Sequence, residues 1–215
     1  MKKWLEWQIK NQIRNADWEN HIWFLDGLSE KLGSWFDRII NDYESNNIEA
    51  KFFNYFTEDF RIRSCVDSSD GQIQEDEFRQ WLDEYADLMK GNGHFYIYDF
   101  GADTDYIRNT VTEKFKLKNN NLLQIRVQIE LPGQYFVVHI DSVKGGAEHI
   151  QTFVTFMRDQ SMGQIFGFDK KTINWKKGDV VTWDFASIPH YTANVGYEPS
   201  YFFVVVGEPL DAPDH

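Results

Sequence analysis

From His94 onward the sequence breaks into short apolar runs: Phe95–Tyr98, Leu123–Ile129, Tyr135–His139, Thr152–Met157, Gln164–Phe168, Val180–Trp183 and Tyr201–Val206. Turn-forming pairs separate them, at Pro132-Gly133, Gly145-Gly146, Lys177-Gly178-Asp179 and Gly196. Runs of this length between Gly and Pro signals are strands and not helices. Many short strands in succession predict a sandwich or jelly roll, not a parallel α/β sheet, which needs a helix between strands.

The first 90 residues have a different texture. Trp4, Ile9, Ile13, Trp18, Ile22, Trp23 and Leu25 alternate irregularly with polar residues, and the pattern continues through Leu28–Ile40 past Gly33. It predicts a helical region over residues 1–46 whose Trp-rich face packs on the rest of the chain, with a partner-binding surface as the competing use of that face. Ser45-Asn46-Asn47 reads as a loop, and Glu75–Met89 as an amphipathic helix carrying Phe78, Trp81, Leu82, Tyr85 and Leu88 on one side. The expected organisation is a helical region over 1–90 packed on a β core over 91–215, together one compact domain. A calcium loop around Ser69-Asp70-Gly71 fails on its first ligand: with Gly71 at loop position six, position one is Val66.

Composition sets the outer limits. Hydrophobic residues at 42% suffice for a core, and eight Trp with eighteen Phe predict one built from large rings. A net charge of −12 argues against nucleic acid, whose binding needs clustered Lys and Arg. Cys65 is the one cysteine, so no internal disulfide forms, which fits a reducing cytosol. Glu6 and Lys10 interrupt any apolar leader, and no run is long enough to span a membrane. The expectation is a cytoplasmic protein.

The chemistry gathers at His139, Asp141 and His190. In an extended strand, residues i and i+2 point to one face, so His139 and Asp141 reach the same point in space. His190 lies about fifty positions on, far enough to return from another strand. Two imidazoles and one carboxylate are the facial set that holds non-haem Fe(II) and leaves coordination positions open. The competing reading is three hydrogen-bonded polar residues. It fits poorly with a charged group ending the otherwise apolar run from Tyr135, since such burial is costly unless compensated. A closed zinc site would use cysteine, and Cys65 is solitary. His94 and His149 are spare imidazoles.

Three stretches carry a family resemblance: Leu131–Asp141, ending in His139-Ile140-Asp141; Trp175–Asp184, with its Gly178-Asp179 turn; and Pro189–Pro199, with His190 and Asn194. Together they resemble the Fe(II)/2-oxoglutarate-dependent dioxygenases, near the aspartyl/asparaginyl and free-amino-acid hydroxylases. The resemblance implies a mainly β protein with flanking helices, the double-stranded β-helix or jelly roll, with the N-terminal helical region added. It implies that His139, Asp141 and His190 hold Fe(II) and are the catalytic residues. 2-Oxoglutarate would be the cosubstrate, decarboxylated to succinate as O2 is consumed, and an unactivated C–H of a small molecule or peptide side chain would be hydroxylated. An intact Asp141 leaves no vacancy for halide, which favours hydroxylation over halogenation.

The chain departs from the family at Ser200, which stands where an arginine pairs with the far carboxylate of 2-oxoglutarate. A hydroxyl does not replace a bidentate guanidinium. Arg158 is the expected substitute, with Gln164 as a polar helper; Arg126, flanked by Ile125 and Val127, is a third candidate that could face in or out. Two other readings stay open: a jelly-roll binding module with a vestigial metal site, and an iron oxygenase that does not use 2-oxoglutarate.

Overall fold

The structure is a computed structural model that describes residues 12–17, 22–53, 80, 93–141, 150–185 and 187–210. Its strands are β1 (Ile13–Asp17), β2 (Ile22–Leu25), β3 (Lys51–Phe53), β4 (His94–Ile97), β5 (Gln124–Glu130), β6 (Tyr135–His139), β7 (Gln151–Phe156), β8 (Gln164–Phe168), β9 (Lys171–Ile173), β10 (Val180–Trp183), β11 (His190–Asn194) and β12 (Ser200–Gly207). Its helices are α1 (Ser29–Glu44) and α2 (Thr104–Phe115). Among the described residues no helix is long and apolar enough to cross a membrane.

The pairing from β5 to β12 is nested. β5 pairs β12, β6 pairs β11, β7 pairs β10 and β8 pairs β9, all antiparallel. This is one long hairpin rolled up, the jelly roll or double-stranded β-helix. The roll produces two facing sheets, an eight-stranded one in the order β1-β2-β10-β7-β12-β5-β4-β3 and a four-stranded one in the order β6-β11-β8-β9.

Both faces of the large sheet are buried, and strand alternation sorts its residues between them. Ile125, Val127 and Ile129 of β5, and Tyr201, Phe203 and Val205 of β12, join one core with the apolar stripe of α1. That stripe, Leu32, Trp35, Phe36, Ile39 and Ile40, follows helical spacing, and Ile107, Val111 and Phe115 of α2 extend it. The alternate residues Val154, Phe156, Phe202 and Val204 meet Phe166 and Phe168 of the small sheet in a second core. Phe166 meets Phe156 and Phe202 edge-on, with ring centroids 5.5 and 5.7 Å apart. The site lies on this second side, between the sheets.

The N-terminal expectation changes. Among the described residues, the helix expected over residues 1–46 is present as α1; residues 13–17 and 22–25 are strands, and β2 extends the large sheet by pairing with β10. There the run Ile22-Trp23-Phe24-Leu25 buries both of its faces, so its spacing carried no period. The polar helix α2 was not foreseen. The expected helix over 75–89 and the rejected calcium loop lie outside the described residues, apart from Gln80 in a helical turn. Among the described tryptophans of the N-terminal region, Trp23 and Trp35 are buried.

Candidate metal centre

His139 ends β6 and His190 begins β11. Because these strands are antiparallel neighbours, the two histidines are cross-strand partners, with ring centroids 4.2 Å apart. Asp141, two residues past His139, is held by its backbone N–H donating to the Phe185 carbonyl at 3.2 Å. His139 Nε2 lies 3.4 Å from one Asp141 carboxylate oxygen and His190 Nε2 lies 3.5 Å from the other. One ligand atom from each of the three residues falls within 4.8 Å of the others. Ligands bound at about 2.1 Å and at right angles sit about 3 Å apart, so a small inward adjustment suffices for a metal ion.

The neighbouring carbonyls favour this use. His139 Nδ1 lies 2.7 Å from the Val137 carbonyl, which accepts its proton and leaves a lone pair on Nε2. His190 Nδ1 has two neighbours at 3.3 Å, the Ile188 carbonyl and the indole N–H of Trp183. Donation to Ile188 is the arrangement that frees Nε2 for a metal. Burial works against ionisation of Asp141, but the hydrogen bonds and charge of His139 and His190 outweigh it and hold the carboxyl well below the usual carboxylate range. The donor set is therefore one anionic oxygen and two imidazoles, which fits Fe(II) or another divalent first-row ion.

The three residues open onto a cavity of about 110 Å³. Phe136, Phe166, Phe202 and Trp183 form its apolar wall, and Arg126, Gln128, Thr152 and Thr192 are among its polar groups. Alternation on β5 places Arg126 and Gln128 on the cavity side, because Ile125, Val127 and Ile129 are in the helix-side core. Sequence reasoning ranked Arg126 last. The alternation was visible, but a sheet buried on both faces gives no clue to which side is which.

Arg158 and Gln164 are placed elsewhere. Arg158 forms a two-pronged pair with Glu44 of α1, at 2.8 and 3.1 Å, and lies over the Tyr201 ring. It is on the helix side of the large sheet, away from the cavity. The Gln164 side chain accepts from the Ser161 N–H and donates to the carbonyls of Glu198 and Pro199, tying two turns together. Neither residue is among those that line the cavity. Ser200 is buried, its hydroxyl without a partner.

Beside Ser200 lies an acidic residue. Its cross-strand partner is Glu130, fully buried, whose Oε1 is 2.8 Å from His94 Nε2 and accepts the Thr192 hydroxyl at 2.7 Å. His94 stacks on Phe136, which meets His139 edge-on at 4.5 Å. The spare imidazole thus belongs to a buried polar cluster behind the cavity.

No protein-family model matches the sequence, and no curated protein matches it. Among solved structures the chain is similar to one described as a predicted oxalate decarboxylase from Thermotoga maritima, at 15% identity and a TM-score of 0.35, covering 54% of this chain and 81% of that one. It is similar to a Cupin 2 conserved barrel domain protein from Salinispora arenicola, at 18% identity and a TM-score of 0.31, over 41% of this chain and 66% of that one. A conserved protein with a double-stranded β-helix domain from Klebsiella pneumoniae is 22% identical, with a TM-score of 0.32, over 45% of this chain and 71% of that one.

Proposed function

We propose that the protein is a non-haem Fe(II) oxygenase that uses 2-oxoglutarate and O2 to hydroxylate an unactivated C–H of a small molecule or peptide side chain. The observation that carries this reading is the convergence of His139 Nε2, His190 Nε2 and the Asp141 carboxylate at the wall of a cavity between two sheets. Iron with 2-oxoglutarate supplies the activation of O2, chemistry that no side chain provides. The protein's own part is geometric. Three ligands on one side of the ion leave its other side facing the cavity. The Val137 carbonyl orients the His139 imidazole, Trp183 and the Ile188 carbonyl flank that of His190, and the aromatic rings give the cavity an apolar wall.

A specific observation favours a second reading, an iron oxygenase that does not use 2-oxoglutarate. At Ser200, where the family's arginine is expected, the interior group alongside is the Glu130 carboxylate. The far carboxylate of 2-oxoglutarate would find a buried acid there and no guanidinium.

Iron uptake under anaerobic conditions tests the metal centre, with one Fe(II) per chain expected and none in His139→Ala/His190→Ala. Succinate release then separates the two oxygenases: O2-dependent release from 2-oxoglutarate supports the first, and an iron-loaded protein that makes none supports the second. A chain that takes up no iron ends both readings and leaves a jelly-roll binding module.

A further inference from the structure

We infer that Arg126, with Gln128 beside it, is a carboxylate-recognition subsite, and that the ligand of the cavity is a small organic carboxylate reaching from this guanidinium towards the metal centre. The second half rests on the proposed function; the subsite itself does not.

The argument begins with charge pairing. Among the described arginines, Arg14 pairs with Asp179, Arg38 with Asp103, Arg158 with Glu44, and Arg108 bonds Asn119. Among the described residues the neighbour recorded for Arg126 is aromatic, its guanidinium carbon lying 5.8 Å from the centre of the Tyr96 ring. It is half-buried and faces the interior. A guanidinium held in such a place without an anion is costly to desolvate, and stacking on a ring repays only part of that cost. An anion entering the cavity would complete it.

The chemistry of the wall narrows the anion. The planar fork of arginine matches a carboxylate bidentately, and Gln128, two residues along on the same strand face, adds a neutral donor. A phosphate dianion would call for a second cation, and among the described residues no lysine or other arginine lines the cavity. Asp141 shares the cavity, so a ligand carrying several negative charges would be disfavoured. Phe136, Phe166 and Phe202 leave apolar space for a short carbon chain.

Two molecules could bring that carboxylate: 2-oxoglutarate, or the substrate itself. The test uses the full chain, its variants Arg126→Gln and Arg126→Lys, and Arg158→Ala as a control. In the first arm, 2-oxoglutarate is titrated anaerobically into the Fe(II)-loaded protein and the charge-transfer band is followed. In the second, butyrate is titrated by calorimetry into the same protein saturated with 2-oxoglutarate. In the third, succinate is titrated into the metal-free protein. If the cosubstrate sits on Arg126, Arg126→Gln weakens 2-oxoglutarate at least about tenfold, equal to ~1.4 kcal/mol. If the substrate does, that band is unchanged and butyrate binding is lost instead. In either case Arg126→Lys recovers part of the loss, Arg158→Ala binds as the parent does, and iron affinity is unaltered. Parent-like binding of every probe by Arg126→Gln, or no binding of any probe to the parent at millimolar concentration, overturns the subsite. If the triad takes up no iron, the proposed function fails, while the metal-free succinate arm still decides Arg126. Should Arg126→Gln not fold, the Lys variant carries the comparison, since it keeps the charge and loses only the fork.

Discussion

Asp141 is the most exposed of the three candidate ligands, with 42% of its side chain open against 18% for His139 and 10% for His190. It stays ionised because both histidines face it and outweigh its partial burial. Asp141→Asn keeps the shape and removes the charge, so cobalt or iron affinity is expected to fall at least about tenfold with the fold intact. Calorimetric titration with Co(II) checks this, and parent-like affinity would make the carboxylate structural. The convergence of His139 and Asp141 was legible because a two-residue spacing in a strand has one geometric meaning. The position of Arg158 was not. Arg158 is claimed by Glu44, more than a hundred positions earlier, and no local pattern announces such a partner. The Arg158 hydrogen bond is the main cause that lowers the carboxyl of Glu44 from its usual 4.5, against some burial and with help from Tyr201. A depressed acid adds stability that is full above its unfolded value and is lost as pH falls through the folded one. Arg158→Ala is therefore expected to cost about 0.2–1 kcal/mol near neutrality, the range for an exposed pair. It should also shrink the loss of stability below pH 4.5, and urea unfolding across that range measures both effects.

The elements divide by how they bury their residues. β6, β8 and β10 match their sequence runs end for end, since each is an apolar stretch closed by a turn. β11 carries a candidate metal ligand but has no apolar signature: its buried residues are His190, Thr192 and Asn194, all polar and all facing the interior. Hydrophobic periodicity cannot find such a strand, though the resemblance did mark its stretch. The turn that follows β11 is also decided by something apolar patterning does not register. Gly163, at φ +88°, lies against the backbone of Gly196, where an added Cβ would come within 2.5 Å of the Gly196 nitrogen. Its carbonyl accepts the Val195 N–H at 2.9 Å. Gly163→Ala combines a left-handed backbone with a clash against main chain that cannot swing aside. A loss of about 1–3 kcal/mol is expected, read as a lower urea midpoint at unchanged slope. An unshifted midpoint would mean that the two turns part at little cost.

At the scale of the whole molecule, the rolled hairpin explains how distant parts of the sequence meet at one candidate metal site. His139 and Asp141 come from the outgoing arm and His190 from the returning one, and only the β6–β11 pairing brings them together. The unfolded chain has no such site, so an ion held by the triad binds the folded state alone and stabilises it by mass action. At free metal about a hundredfold above the dissociation constant this amounts to about 2.7 kcal/mol. For a chain of 215 residues that corresponds to a melting temperature higher by roughly 5–10 °C. Thermal unfolding with Co(II) or Zn(II) should show the shift in the parent protein. His190→Ala should abolish it, since removing the ligand from the returning arm leaves only two neighbours on one strand end. Arg126→Gln should retain it, because that side chain lines the cavity without coordinating the ion. A shift of equal size in His190→Ala would place the stabilising ion somewhere other than the His139, Asp141 and His190 set.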